Sequence, residues 1–354
     1  MKRILLILLV AAGILATAAC AARPKLHILN FPDYMDRSLV SAFERDFDCE
    51  VVYREVGSNE EMVELLRSEA AHYDLVIPSD YMIGRLVQLG MLRPIDATAL
   101  PNLGMLTVMP GIDSLYGGES WFDYAIPYAW GTLGILYDAT VPGLSAFVEE
   151  AEWGALFTAG DTYDVGMYDS ARDAVAAALL YYGFDVNTVD EEELAMAEDA
   201  LKDARFTAWG EDSLQALVST GTLDLALVYS GDYFYARELA IDSGNDVTFD
   251  LYVPATTNVW MDAICIPTRA EDLDLAYAFI DYMMQYDRVL ANAEYIGYTP
   301  PFLEIFDAMT DDNVYDDPRF DPAPTGADRR IYRFVDQPHA EDLLLILERA
   351  KTGE

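Results

Sequence analysis

Between residues 25 and 89 three short apolar runs alternate with three stretches of helical period, and that order leaves few folds open. His27-Ile28-Leu29 predicts a strand, followed by the loop Asn30-Phe31-Pro32-Asp33-Tyr34. Segment 38–47 has helical spacing, with Leu39, Phe43 and Phe47 on one face. A second strand is expected over 50–55. Ser58-Asn59-Glu60-Glu61 then opens a helix in the manner of a capping box, with Met62, Leu65 and Leu66 as its apolar face. The third run, YDLVI at 73–77, is almost continuously apolar, which suits a parallel sheet covered on both faces. It ends at Pro78-Ser79-Asp80-Tyr81, where another helix starts and runs to residue 89. This order builds an open parallel sheet with right-handed crossovers. Ligands of such sheets bind beyond the carboxyl ends of the strands. Phe31, Asp33, Tyr34, Ser79 and Tyr81 all fall on loops at that edge.

A chain of 354 residues is long for one core, so two α/β lobes are expected. AIPYAWGTLGILYD at 125–138 reads as two strand-like runs around a Trp-Gly bend and marks the crossing from the first lobe to the second. The second lobe repeats the alternation: a strand at 164–167, helices at 170–182 and 191–203, and a buried strand, LDLALVY, at 223–229 that runs into Ser230-Gly231-Asp232. TTNVWMDAICIP at 256–267 is a strand returning to the first lobe, followed by a helix over 273–285, a loop over 296–300 carrying Tyr298, and a last helix over 340–351. Alternation along the returning strand puts Trp260 and Asp262 on one side. A ring beside a carboxylate suits an alkylammonium: the ring takes methylenes and cation, and the carboxylate takes the N–H donors. A strand end at which Asp262 caps a neighbouring loop fits the same residues equally well.

The formal charge of −39 argues against a nucleic-acid partner and would enrich cations at the surface, although solubility or a salty medium explains it as simply. A hydrophobic fraction of 53% excludes disorder. Residues 1–19 read as an export signal: Lys2 and Arg3, an apolar run over 4–15, then Ala16-Thr17-Ala18-Ala19 before Cys20. The small residues resemble a lipoprotein processing site, with Thr17 where leucine is usual. Processing would make Cys20 a lipidated N-terminus, with 20–24 as linker, and tether the protein on the periplasmic or cell-surface side of the cytoplasmic membrane. Cys49 and Cys265 fit either a disulfide or two buried thiols. His27, His72 and His339 share no ligand spacing, and no zinc, phosphate-loop or nucleophile-elbow motif is present. No cofactor and no resident metal are therefore expected. Abundant acids leave an exported acid/base hydrolase open. The 23 tyrosines leave open a ferric-ion site of phenolates and carboxylates, although adjacent Tyr181 and Tyr182 point in different directions and suit packing better.

An ordered set of segments runs through nearly the whole chain: NFPDY at 30–34, GSNEEM at 57–62, YDLVIPSDY at 73–81, AIPYAWG at 125–131, DSARD at 169–173, LVYSGD at 227–232, WMDAICIP at 260–267 and IGYTPP at 296–301. In this set the chain resembles the substrate-binding proteins of bacterial spermidine/putrescine ABC transporters. The resemblance implies a type II periplasmic-binding fold, with each lobe a mainly parallel sheet flanked by helices and the two joined by a hinge. Lobe one would be 25–129 plus 260–306, and lobe two 130–259 plus 307–354. It implies a non-enzymatic, monomeric protein that binds putrescine, spermidine or both and hands them to membrane permease subunits. Carried over by position, the aromatic box is Phe31, Tyr34, Tyr81, Tyr229, Trp260 and Tyr298, with Asp173 and Asp262 gripping the amines, Ser79 adding a polar contact and Asp33 matching an acid of putrescine-preferring members. Phe31 and Tyr229 stand where tryptophan is common, and Ser170 where spermidine-preferring members carry aspartate, which implies a shorter diamine. Tyr81 and Trp260 follow the spermidine pattern instead. Arg333 falls near an expected glutamine and is left unassigned. Another cation, such as ferric iron, and a hydrolase remain the alternatives.

Overall fold

A computed structural model describes residues 23–68, 72–211, 213–311 and 314–353. The export signal and Cys20 lie outside the described residues. Strands β1 (Lys25–Asn30), β2 (Glu50–Glu55) and β3 (Leu75–Val76) pair in parallel, with β1 in the middle. Their apolar runs split between two cores as strand alternation requires. Leu26 and Ile28 join Phe43 and Leu75 on one side of the sheet, whereas Leu29 and Val76 join Met62 and Met82 on the other. Helix Arg37–Phe47 buries Val40 and Phe43, while Phe47 is exposed and stacks on Phe43 at 4.3 Å. Ser58 caps helix Asn59–Arg67 by accepting from the Glu61 N–H, and Glu61 accepts from Gly57 N–H, one residue earlier than in a capping box.

The remaining strands are β4 (Leu92–Arg93), β5 (Ala125–Asp138), β6 (Val165–Tyr168), β7 (Ala208–Gly210), β8 (Leu225–Tyr229), β9 (Phe249–Tyr252), β10 (Thr256–Pro267) and β11 (Asp328–Ile331). The continuous order is β2-β1-β3-β10-β5-β8-β6-β7. Pairing is parallel among β1–β3 and among β6–β8, and antiparallel where β5 and β10 pass between the two halves. The result is the two-lobed α/β architecture that the alternation implied.

One expectation needs correction. Residues 125–138 form a single strand of 14 residues, with no bend at Trp130-Gly131. The glycine serves close approach instead of a turn. A Cβ at Gly131 would lie 2.8 Å from Trp260 Cζ2 and 2.9 Å from Ser230 Oγ. The crossing is made by a change of partner: β5 pairs with β10 up to Thr132 and with β8 from Leu133 onward. Strand β10 returns alongside it, with a shift of register between Asp262 and Ala263. Among the described residues Cys49 and Cys265 are both buried and unpaired, as the thiol alternative has it. The last helix begins at Gln337, earlier than its apolar pattern indicates, because Asp336 caps it and Pro338 is tolerated in its first turn.

Candidate functional site

The loops after β1 and β3 meet the middle of β10 at one edge of the sheet. Tyr34, from the first loop, is buried and donates its hydroxyl to Asp262 Oδ2 at 2.8 Å. Its own carbonyl accepts from Asn30 Nδ2 and the Tyr128 hydroxyl, which fixes the loop. Ser79, from the second loop, forms an isolated antiparallel bridge with Asp262, and the Ala263 N–H donates to the Pro78 carbonyl at 3.1 Å. Asn59 holds Ser79 through both its backbone N–H and its hydroxyl.

Asp262 is only 6% exposed, and its Oδ1 has no hydrogen-bond partner among the described residues. Burial pushes its carboxyl up to about 6, with the Ser79 and Tyr34 hydroxyls pulling the other way. Two residues earlier, Trp260 meets Tyr229 and Tyr298 edge-on, with ring centroids 5.4 and 5.3 Å away. Tyr298 in turn meets Tyr34 at 5.9 Å, and Tyr34 meets Phe31 at 6.1 Å. Five rings therefore run as one chain: Phe31, Tyr34, Tyr298, Trp260 and Tyr229.

Each phenol in that chain is handed to a carboxylate. Tyr298 donates to Asp232 Oδ1 at 3.0 Å, and Tyr229 donates to Asp173 Oδ2 at 2.8 Å. Tyr332 donates to the other oxygen of Asp173 at 3.0 Å. Burial, followed by these neighbouring carboxylates, holds the Tyr34, Tyr229 and Tyr332 phenols well above their usual range, so all three stay protonated donors. Asp173 sits in the first turn of helix Ala171–Tyr182, where the N-terminal dipole favours its charge.

Tyr81 lies apart from the ring chain. Its face is covered by the Arg172 guanidinium, 3.7 Å from the ring centroid, and its hydroxyl donates to Glu60 at 3.3 Å. Asp33 is exposed and holds a left-handed turn at φ 51°. Ser170 Oγ accepts from the Asp173 N–H at 3.4 Å as the helix cap, so the hydroxyl is engaged with backbone. Arg333 pairs with Glu119 at 2.9 Å on the surface, and it is its neighbour Tyr332 that turns inward.

The sequence analysis missed Asp80, Asp232, Arg172 and Tyr332. Asp80 is fully buried, accepts from Tyr116 Oη at 2.8 Å and from the Tyr81 N–H at 2.7 Å, and is pushed by burial up to about 7. A signal was present for the two acids. Each stands directly beyond the carboxyl end of a strand, within SDY and SGD, although such positions read as helix caps. The arrangement as a whole is an apolar aromatic enclosure lined with acids, which suits a cation carried on a greasy stem.

The profile of the family described as bacterial extracellular solute-binding protein matches residues 38–322. The chain belongs to that family. It is 27% identical over 345 residues to the putrescine-binding periplasmic protein SpuD of Pseudomonas aeruginosa, covering 94% of this chain and 93% of that protein. It is 28% identical to the spermidine/putrescine-binding periplasmic protein of Escherichia coli, covering 83% of this chain and 84% of that one. The crystal structure of the spermidine/putrescine ABC transporter substrate-binding protein PotD from Streptococcus pneumoniae superposes with a TM-score of 0.75 at 25% identity, covering 93% of this chain and 99% of that one. By name these relatives are binding proteins, one of them of an ABC transporter, and the resemblance drawn from the motifs is met by them.

Proposed function

We propose that this family member is an extracytoplasmic lipoprotein that captures a polyamine, putrescine or spermidine, between its lobes and delivers it as a monomer to ABC-transporter permease subunits. The observation that carries this reading is Asp262: a buried carboxylate with one oxygen unpartnered among the described residues, set beside Trp260 in a continuous chain of aromatic rings. An ammonium supplies the missing donors, and its methylenes take the ring faces. The names of the relatives point the same way. Phe31, Tyr34, Tyr229, Trp260 and Tyr298 would form the walls, Asp262 and Asp173 the amine grips and Ser79 a polar neighbour, while Asp33 and Tyr81 lie at the margin. Because the rings already touch, a ligand enters as the lobes part and is enclosed as they close. The change of partner at Thr132 and Leu133 supports lobes of 25–129 plus 260–306 and 130–259 plus 307–354.

A thermal-shift panel tests the ligand class. Putrescine, cadaverine, spermidine or spermine at a hundredfold excess over Kd stabilises the protein by about 2.7 kcal/mol, whereas amino acids and ferric citrate leave it unmoved. A melting temperature indifferent to every polyamine at millimolar concentration contradicts the reading. The anchor is tested separately. Cys20→Ala is expected to release the protein from the membrane fraction, and unchanged membrane association and mass would remove the lipid from the account.

A further inference from the structure

Beyond β11 the chain leaves the second lobe and then returns to it. Residues 332–336 have no regular structure, and helix Gln337–Thr352 packs on helices Ala171–Tyr182 and Glu191–Asp203, where Arg349 pairs with Glu198 at 2.6 Å. At the start of the span Asn187 donates to the Ile331 carbonyl at 2.9 Å and accepts from the Arg333 N–H at 2.7 Å. Between these two anchors the segment touches the first lobe at two places. Arg333 Nε and Nη2 both donate to Glu119 Oε1, at 3.0 and 2.9 Å. Arg85, from helix Asp80–Gln88, donates to Gln337 Oε1 at 2.5 Å and lies 5.1 Å from the centre of the Phe334 ring.

Tyr332 lies inside this span, and its phenol bonds Asp173 Oδ1 in the enclosure. What its neighbours touch on the first lobe therefore bears on the site without touching a ligand. Arg85 is buried, and the groups it meets on the span are a neutral amide and a ring, so docking trades hydration for one charge-assisted hydrogen bond. The Arg333–Glu119 pair is partly exposed, and such pairs are weak. Neither contact alone holds two lobes shut, which suits a fastening that the ligand completes. We propose that residues 332–337 form a strap that fastens the second lobe to the first over the enclosed ligand, with Arg85 and Glu119 as positioning residues that keep Tyr332 on Asp173. This rests on the polyamine reading and the lobe boundaries above.

Calorimetry and stopped-flow tryptophan fluorescence with putrescine test it in the wild type, Glu119→Arg, Arg333→Glu and the double variant, with melting curves for each. The two single substitutions move the net charge in opposite directions, so net charge cannot lower affinity in both. Each is expected to weaken binding about three- to tenfold through faster dissociation. The double variant keeps the wild-type charge with the pair reversed, and is expected to return to within about twofold of the wild type. Wild-type affinity in either single variant, or a double variant no tighter than the weaker single one, overturns the strap. Should a charge variant fail to fold, Gln337→Ala carries the test: it removes the acceptor of Arg85 from an exposed residue, and an unchanged dissociation rate overturns the proposal. No binding of putrescine or spermidine by the folded wild type defeats the polyamine reading, and the strap with it.

Discussion

Asp262→Asn is expected to weaken polyamine binding by about 2–5 kcal/mol while leaving the free protein at least as stable at neutral pH. The substitution keeps the shape and still accepts from Tyr34, but it removes the charge that an ammonium would pair with. The stability half follows from the raised carboxyl. In the unfolded chain Asp262 ionises at 3.8, and in the folded one at about 6, so the folded state holds the extra proton between those values. The buried carboxyl therefore favours folding below about pH 4, and that contribution is lost as pH rises through 6. Ionised at neutral pH with no cation paired to it among the described residues, it is a burden on the order of 3 kcal/mol that asparagine removes. The same proton shapes binding. Only the ionised form pairs with an amine, so wild-type affinity is expected to fall roughly tenfold per pH unit below 6, and this Asp262-dependent part to vanish in Asp262→Asn. Titrations between pH 5 and 8 on both proteins check both claims, and normal affinity in the variant would place Asp262 outside the site.

The second large effect is expected at Gly231. A Cβ there would lie 1.2 Å from Tyr298 Cδ1 and 1.6 Å from Cε1, inside the ring. Gly231 is the second residue of helix Ser230–Asp242, and Tyr298 lies across that first turn to reach Asp232. Gly231→Ala must push Tyr298 out of the chain between Tyr34 and Trp260, which costs the closed form about 1–3 kcal/mol. If the lobes part in the free protein, alanine in a helix costs the open form nothing and gains roughly 0.5–1 kcal/mol. Ligand affinity is then expected to fall while the melting temperature of the free protein holds or rises. Gly118→Ala, whose Cβ meets nothing within 4 Å, is the matched control. Equal affinities for the two variants would show that Tyr298 does not close over the ligand.

Much of this was legible in the sequence because it depends on local period. Strand alternation placed Trp260 and Asp262 on one face, and the position of the loops after β1 and β3 placed Tyr34 and Ser79 beside them. The misread stretch was 125–138, where Gly131 suggested a turn. Its actual reason is Trp260, a residue 129 positions further along that no local pattern reveals. Arg172 and Tyr332 escaped for the same cause, since a guanidinium over Tyr81 and a phenol on Asp173 are contacts between distant segments. Asp80 and Asp232 were visible but looked like helix caps, and Asp232 is one: it accepts from the Tyr229 N–H while its other oxygen takes Tyr298.

Calorimetric titration of the wild-type protein with putrescine near neutral pH tests the central claim most directly. A saturable heat with one diamine per chain, lost in Asp262→Asn, is the result this account predicts. No saturable heat from putrescine or spermidine, with the protein folded, would contradict it.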